Sequence, residues 1–305
     1  MVAYAIRRIL LIIPLLFAVA TITFFLMHAI QGGPFDSDKP SSAVSQQRLN
    51  QKYGLDKSLP EQYVTYLDNL AHLDLGVSFN SNRPVKTIIA ERLPISLQLG
   101  ISAFIFASVF GMTLGIVSSL NQNGLGDYIG VFVATAGAAL PSFVLAPLLV
   151  IVFALKLQWF DVLGWELGNP QKMVLPVIAL GLLPAAFVAR ITRASMLEVL
   201  RQDYIRTARS KGLTEFRVVM RHSMKNALIP VLTVLGPIFA GLITGSFIVE
   251  TQFAIPGLGR EFVGSVLSRD YGVIMGVTLF FAAVIAFMNL VVDLAYGLVD
   301  PRIRY

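Results

Sequence analysis

Residues 203–230 read DYIRTARSKGLTEFRVVMRHSMKNALIP, a basic stretch set between long runs that contain no charged residue. Tyr204, Ile205 and Ala208 recur at helical spacing and predict a short amphipathic helix. Gly212 ends it, because glycine enters the left-handed cap conformation without steric cost. A second helix is expected to follow, with Thr214 as its N-cap and Glu215 in its first turn. Phe216, Val219, Met220, Met224 and Ala227 fall on one face of it, and Arg217, Arg221 and Lys225, four residues apart, line another. Such a stripe of cations has two readings. It can anchor an interfacial helix beside an anionic leaflet, or it can be a docking surface for a soluble partner.

On either side of this stretch the chain is strongly apolar. Hydrophobic residues make up 55% of the 305 and charged residues only 14%, with a mean hydropathy of +0.71. That is too apolar for a water-soluble domain and too long for a single span, so the composition predicts an all-α polytopic membrane protein. Uncharged runs occupy residues 9–31, 93–126, 128–155, 173–189, 227–249 and 271–292. Each is about the length needed to cross a ~30 Å hydrocarbon core, which gives six transmembrane helices. An even number places both termini on one side. Thirteen Lys and Arg gather on the side of the termini and the 203–230 stretch, against four in the two short loops of the other side. The positive-inside rule therefore makes both termini cytoplasmic. The same bias accounts for the net charge of +6 without invoking nucleic acid. There is no cysteine, which removes disulfides and thiolate metal sites.

Arg7 and Arg8 precede the first run, which exceeds a signal-peptide core and has no small-x-small site after it. An uncleaved span is expected, ended by Gly32, Gly33 and Pro34. Residues 34–92 form the one sizeable polar region, with equal numbers of acidic and basic residues. Helices are expected around 44–53 and 61–72, the second introduced by Ser58 and Pro60, and Asp74–Phe79 reads as a turn or short extended piece. Within the spans, Pro14, Pro141, Pro147, Pro176, Pro184, Pro230 and Pro237 predict bent helices. Gly111 with Gly115 and Gly241 with Gly245 have the spacing of close helix contacts.

Charges inside the spans are few. Asp293, near the end of the last, is expected to pair with an arginine or reach for the interface; Arg190 and Arg193 end the fourth. His28 and Glu250 are expected at the opposite membrane surface, within reach of water. Neither a phosphate-binding loop, a zinc-protease motif nor a nucleophile elbow is present in the sequence. A transporter without its own energy source must borrow one. The alternative, an ion-coupled secondary transporter or channel acting alone, would need buried carboxylates or broken-helix ion sites.

The run Arg206-Thr-Ala-Arg-Ser-Lys-Gly212, continuing to Asn226-Ala-Leu-Ile-Pro230, resembles the cytoplasmic "EAA" loop of ABC importer permeases. Arg206 stands where that family's Glu would be and Thr207 replaces its first Ala, while Ala208 and Gly212 match; these departures resemble the peptide-importer branch. Tyr53-Gly54-Leu55, Asp74–Phe79, Pro141–Pro147, Ala189–Leu200, Pro256–Gly259, Arg269–Tyr271 and Asp300–Tyr305 extend the resemblance, to the first permease subunit of oligopeptide importers, over nearly the whole chain.

The resemblance implies a type I ABC importer permease fold in the inner (cytoplasmic) membrane. It also implies a homologous second permease subunit, two cytoplasmic ATPase subunits that bind ATP and Mg, and a periplasmic or lipid-anchored solute-binding protein. The chain itself would hold no cofactor, metal or catalytic residue. The expected division is a cytoplasmic tip and first span (1–31), an outer loop (32–92), and a five-helix core (93–305) carrying the coupling loop 203–230. Arg206, Thr207, Ala208, Arg209, Lys211, Gly212 and Glu215 are the implied ATPase-coupling residues. Ala208 and Gly212 would permit close approach of the partner. Ser142, Thr244 and Ser246 are expected along the translocation pathway.

Overall fold

The computed structural model describes residues 2–30 and 43–299. The expected break at Gly32, Gly33 and Pro34 and the Asp300–Tyr305 terminus lie outside the described residues. Among the described residues there is helix and no strand, apart from an isolated bridge between Val77 and Pro84. Five helical stretches are long and apolar enough to cross a membrane: Ile6–Ala29, Val85–Leu120, Pro170–Leu200, Glu215–Ile243 and Tyr271–Leu294. A sixth, Leu125–Ala139 with Ser142–Lys156, is bent by 110° at its middle. The expected six spans are thus reached only by counting that bent pair as one.

The bend has a local cause. Pro141 disfavours helical conformation in the residue before it, and Leu140 is extended at φ −98°, ψ 113°. The run 128–155, uniform by hydropathy, is therefore two helices. Pro14, Pro147, Pro176, Pro184, Pro230 and Pro237, by contrast, stay inside helices.

The residues group into two compact units, one within Met1–Ile95 and Pro256–Tyr305, the other within Ser96–Ile255. In the first, helix α1 (Val2–Ala29) packs along the last helix, Tyr271–Val299. Arg8 meets Asp293 at 2.9 Å, so Asp293 is paired with an arginine, as expected. His28 Nδ1 lies 2.8 Å from the Phe24 carbonyl oxygen and Nε2 3.1 Å from Gln62 Oε1. The polar region supplies α2 (Ala43–Tyr53) and α3 (Leu59–Ala71), close to the expected spans. The Tyr66 phenol of α3, buried and beside Tyr63, is pushed up to about 12 and so stays protonated.

The segment after α3 is tied down by one carboxylate. Asp270, 2% exposed, accepts hydrogen bonds from Ser78 Oγ at 2.6 Å, Phe79 N at 2.9 Å, Asn80 N at 3.3 Å and Val273 N at 3.3 Å. It caps the last helix and fixes the 78–80 turn at once. Asp270→Ala leaves these donors without an acceptor, so it is expected to destabilise the unit by about 2–3 kcal/mol. Thermal unfolding in detergent checks this; an unchanged Tm would refute it.

The second unit contains most of α4 (Val85–Leu120), then α5 (Leu125–Ala139), α6 (Ser142–Leu149), α7 (Pro170–Leu200), α8 (Asp203–Ser210), α9 (Glu215–Arg217), α10 (Met224–Ile243) and α11 (Phe247–Gln252). Wide π-helical turns extend α6 over Val150–Lys156 and join α9 to α10 over Val218–Ser223. In the first unit α12 (Leu258–Leu267) precedes α13 (Tyr271–Val299). The expected Gly111/Gly115 contact is present, between α4 and α7. A Cβ on Gly115 would stand 2.5 Å from the Ala189 carbonyl oxygen and 2.6 Å from Thr192 Cβ. Gly241 has no neighbour within 4 Å of such a Cβ, and Gly245 serves as a left-handed turn residue at φ +78°. The first pair is therefore a helix–helix contact, whereas Gly245 approaches Ser96 of α4 from a turn, with 3.2 Å between its would-be Cβ and the Ser96 Cβ.

Glu250 corrects another expectation. It is fully buried rather than water-exposed, and a Cβ on Gly245 would collide with its Oε1. The missing side chain at 245 makes room for the carboxylate.

Candidate functional site

The 203–230 stretch folds as expected up to its turn. Asp203–Ser210 is helical, and Gly212 ends it at φ +77° with nothing within 4 Å of where a Cβ would point. Ile205 (0% exposed) and Ala208 (6%) face inward and pack with Val218. Val199 of α7 and Leu213 close this cluster. Ala208 is thus engaged in the chain's own packing. Tyr204, expected on the apolar face, is exposed, and its hydroxyl accepts a hydrogen bond from Asn226 Nδ2 at 2.8 Å.

After the turn, the predicted apolar face is only half right. Val219 and Ala227 are buried, but Phe216 is 76% and Met220 51% exposed, while Val218 and Ser223 are buried instead. The π-helical turn over Val218–Ser223 takes extra residues and changes the phase between the side chains before it and those after it, so Phe216 and Ala227 do not share the face that a regular 3.6-residue helix would give them. Met196 of α7 packs against Val219 and Ala227, with Ile116 of α4 beside them. Two apolar clusters thus fasten the stretch to the last two turns of α7.

The polar face is strongly cationic. Arg209 forks onto Glu215, Nε to Oε2 at 3.1 Å and Nη2 to Oε1 at 2.6 Å, and this carboxylate holds the guanidinium above its ordinary pKa. Arg209 and Glu215 therefore brace the turn at Gly212 and are less available to a partner than expected. Arg206 approaches Asp203 at 3.6 Å, both exposed, and Thr207 Oγ1 donates to the Asp203 carbonyl oxygen at 3.0 Å. Lys211, Arg217, Arg221 and Lys225 are exposed and have no acidic partner within 4 Å among the described residues. Phe216 and Met220, on the same stretch, are exposed as well.

The residues expected on a pathway all sit at helix breaks. Ser142 opens α6 after the 110° bend, and Thr244 and Ser246 flank Gly245 between α10 and α11. The structure packs α6 against α11. The Thr244 hydroxyl donates to the Gly241 carbonyl oxygen at 2.9 Å, and Ser246 Oγ accepts from Val249 N at 3.2 Å, so both hydroxyls have local backbone partners.

One polar cluster has no counterpart in the sequence reading. Asp127, near the start of α5, is 4% exposed and faces Arg193 of α7, Nε to Oδ1 and Nη2 to Oδ2, each at 2.7 Å. Ser118 Oγ of α4 donates to Oδ1, and Asn123 N donates to Oδ2 at 3.0 Å. A lone acid in a turn without a single cation is the signal the sequence offers for it.

Residues 86–305 match the family described as binding-protein-dependent transport system inner membrane component, and residues 1–100 match the N-terminal model for such membrane components. The chain belongs to this family. Among the relatives of this transport-system component is the dipeptide transport system permease protein DppB of Bacillus subtilis. It is 42% identical over 305 residues, covering 100% of this chain and 98% of the relative. The oligopeptide transport system permease protein OppB of Salmonella typhimurium is 42% identical over 306 residues, covering 100% of both.

Two solved structures share the fold of this inner membrane component. The inward-facing MetNI methionine ABC transporter aligns with a TM-score of 0.56 at 14% identity, over 70% of this chain and 97% of that one. An amino acid ABC transporter with histidines gives 0.52 at 19% identity, over 72% and 95%. At such identities the likeness speaks of fold alone, and it bears out the expected importer permease fold.

Proposed function

We propose that this chain is the transmembrane permease subunit of an ATP-driven, binding-protein-dependent importer of peptides, oligopeptides foremost. The observation that carries the reading is the full-length identity of 42% to permeases named for dipeptides and oligopeptides. Permeases of both names match at the same 42% identity. The chain works with a homologous second permease, two cytoplasmic ATPases that bind ATP and Mg, and a solute-binding protein on the outer side. Both termini and the 203–230 loop face the cytoplasm, where the exposed Arg206, Lys211, Arg217, Arg221 and Lys225 meet an ATPase. Phe216 and Met220 are exposed on the same stretch, and exposed aromatic and arginine side chains together have the composition of a binding hot spot. Residues 32–92 face outward, and the breaks around Ser142 and Thr244–Ser246 border the pathway.

Affinity purification of the chain from its native membrane in mild detergent is expected to bring down ATPase subunits and a second permease. Vesicles holding that complex should accumulate labelled tri- to pentapeptides only with ATP inside the ATPase compartment and with the binding protein present. Accumulation driven by an ion gradient without ATPase subunits would overturn the reading in favour of a secondary transporter.

A further inference from the structure

We infer that the Asp127–Arg193 ion pair is the joint through which movement of the 203–230 loop reaches helices α4 and α5. This rests on the reading of that loop as the coupling surface. Asp127 and Arg193 are positioning residues: neither touches the transported solute or ATP, and both act through the helices they hold.

The contacts form an unbroken series. Ile205, Ala208 and Val218 of the loop segment pack on Val199 of α7. One turn earlier on α7, Met196 packs on Val219 and Ala227. Three residues before Met196 stands Arg193, whose guanidinium grips the Asp127 carboxylate with two parallel bonds of 2.7 Å. The same carboxylate accepts from Ser118 Oγ of α4 and from Asn123 N in the turn between α4 and α5. One buried anion thus collects four donors from α4, the following turn and α7, while belonging to α5.

Apolar packing is non-directional, so it fixes the angle between α7 and its neighbours α4 and α5 less sharply than a directed polar contact does. A two-pronged guanidinium–carboxylate contact fixes angle as well as distance. Close approach of α4 and α7 at Gly115 brings the helices near enough for it. A buried ion pair adds little net stability over an apolar replacement, and a role in fixing geometry is its better-attested use. The pair sits at the end of α7 that carries the loop, where rigid transmission is needed.

The test uses the whole complex, purified through this chain and reconstituted in vesicles, with labelled trialanine as the probe. The readout is trialanine accumulated per ATP hydrolysed, a ratio that loss of folded complex does not move. Asp127→Asn and Arg193→Gln are expected to lower the ratio at least fivefold, with Arg193→Lys, which keeps one charged bond, in between. The double variant Asp127→Asn with Arg193→Gln removes the buried carboxylate together with its half-buried partner and so leaves neither charge unpaired. It is expected to recover yield but not the ratio. A wild-type ratio in the double variant, or in both single variants, would overturn the inference. Gly212→Trp, measured in parallel, separates the two readings. If it uncouples while the pair variants do not, the joint is wrong and the loop stands; if it too couples normally, the loop reading has failed first.

Discussion

Gly212→Trp is expected to leave the chain inserted and folded yet reduce ATP-driven peptide uptake by more than tenfold, whereas Gly212→Ala should retain most of it. The contrast matters because both substitutions incur the same backbone cost. Gly212 sits at φ +77°, and any side chain there adds about 1–2 kcal/mol of left-handed strain. Within the chain, nothing lies within 4 Å of where the Cβ would project, so the first side-chain atom is free of this polypeptide in both variants. The added bulk of the indole is expected to act on the partner proposed for this face. Uptake in vesicles, with surface expression measured alongside, decides it; equal activity of the two variants would remove the ATPase from this face of the loop.

The second large effect concerns folding. Gly115→Val is expected to abolish the packed second unit, with loss of monodisperse protein in mild detergent. Even the first atom of the new side chain would stand 2.5 Å from the Ala189 carbonyl oxygen and 2.6 Å from Thr192 Cβ. The backbone cannot yield locally, so α4 and α7 must separate. Overpacking typically costs about 1–3 kcal/mol, and here two whole helices have to move. Gly241→Val, whose Cβ has open space, is the matched control and should fold normally. Size-exclusion profiles of the two variants check the pair.

Much of the fold is legible in the sequence because bilayer thickness couples hydropathy to helix length, and the five uninterrupted spans obey that coupling. Helices α2 and α3 are legible from their own polar patterning and, for α3, from Ser58 and Pro60. The failures share a cause. Counting 3.6 residues per turn puts Phe216 and Met220 on the buried face, and a π-helical turn at Val218–Ser223 breaks the count. Leu140–Pro141 looks like one more proline in a span because several others in this chain do stay helical. A single charge at the end of an apolar run usually snorkels, which points Glu250 toward water; the space that Gly245 leaves for it is a three-dimensional fact. Asp127 and Arg193 are 66 residues apart, beyond any local pattern. For the candidate site, sequence supplies the turn at Gly212 and the cationic stripe. The structure adds that Arg209 and Glu215 brace each other and that Ala208 is spent on internal packing.

The sharp corner at Leu140–Pro141 constrains what can lie beside it. A helix that stops leaves its final carbonyls without the next turn's amides, and fatty-acyl tails offer no donor to replace them. A corner of this kind at hydrocarbon depth needs polypeptide or water beside it, a demand that the break before Ser142 makes and an unbroken span does not.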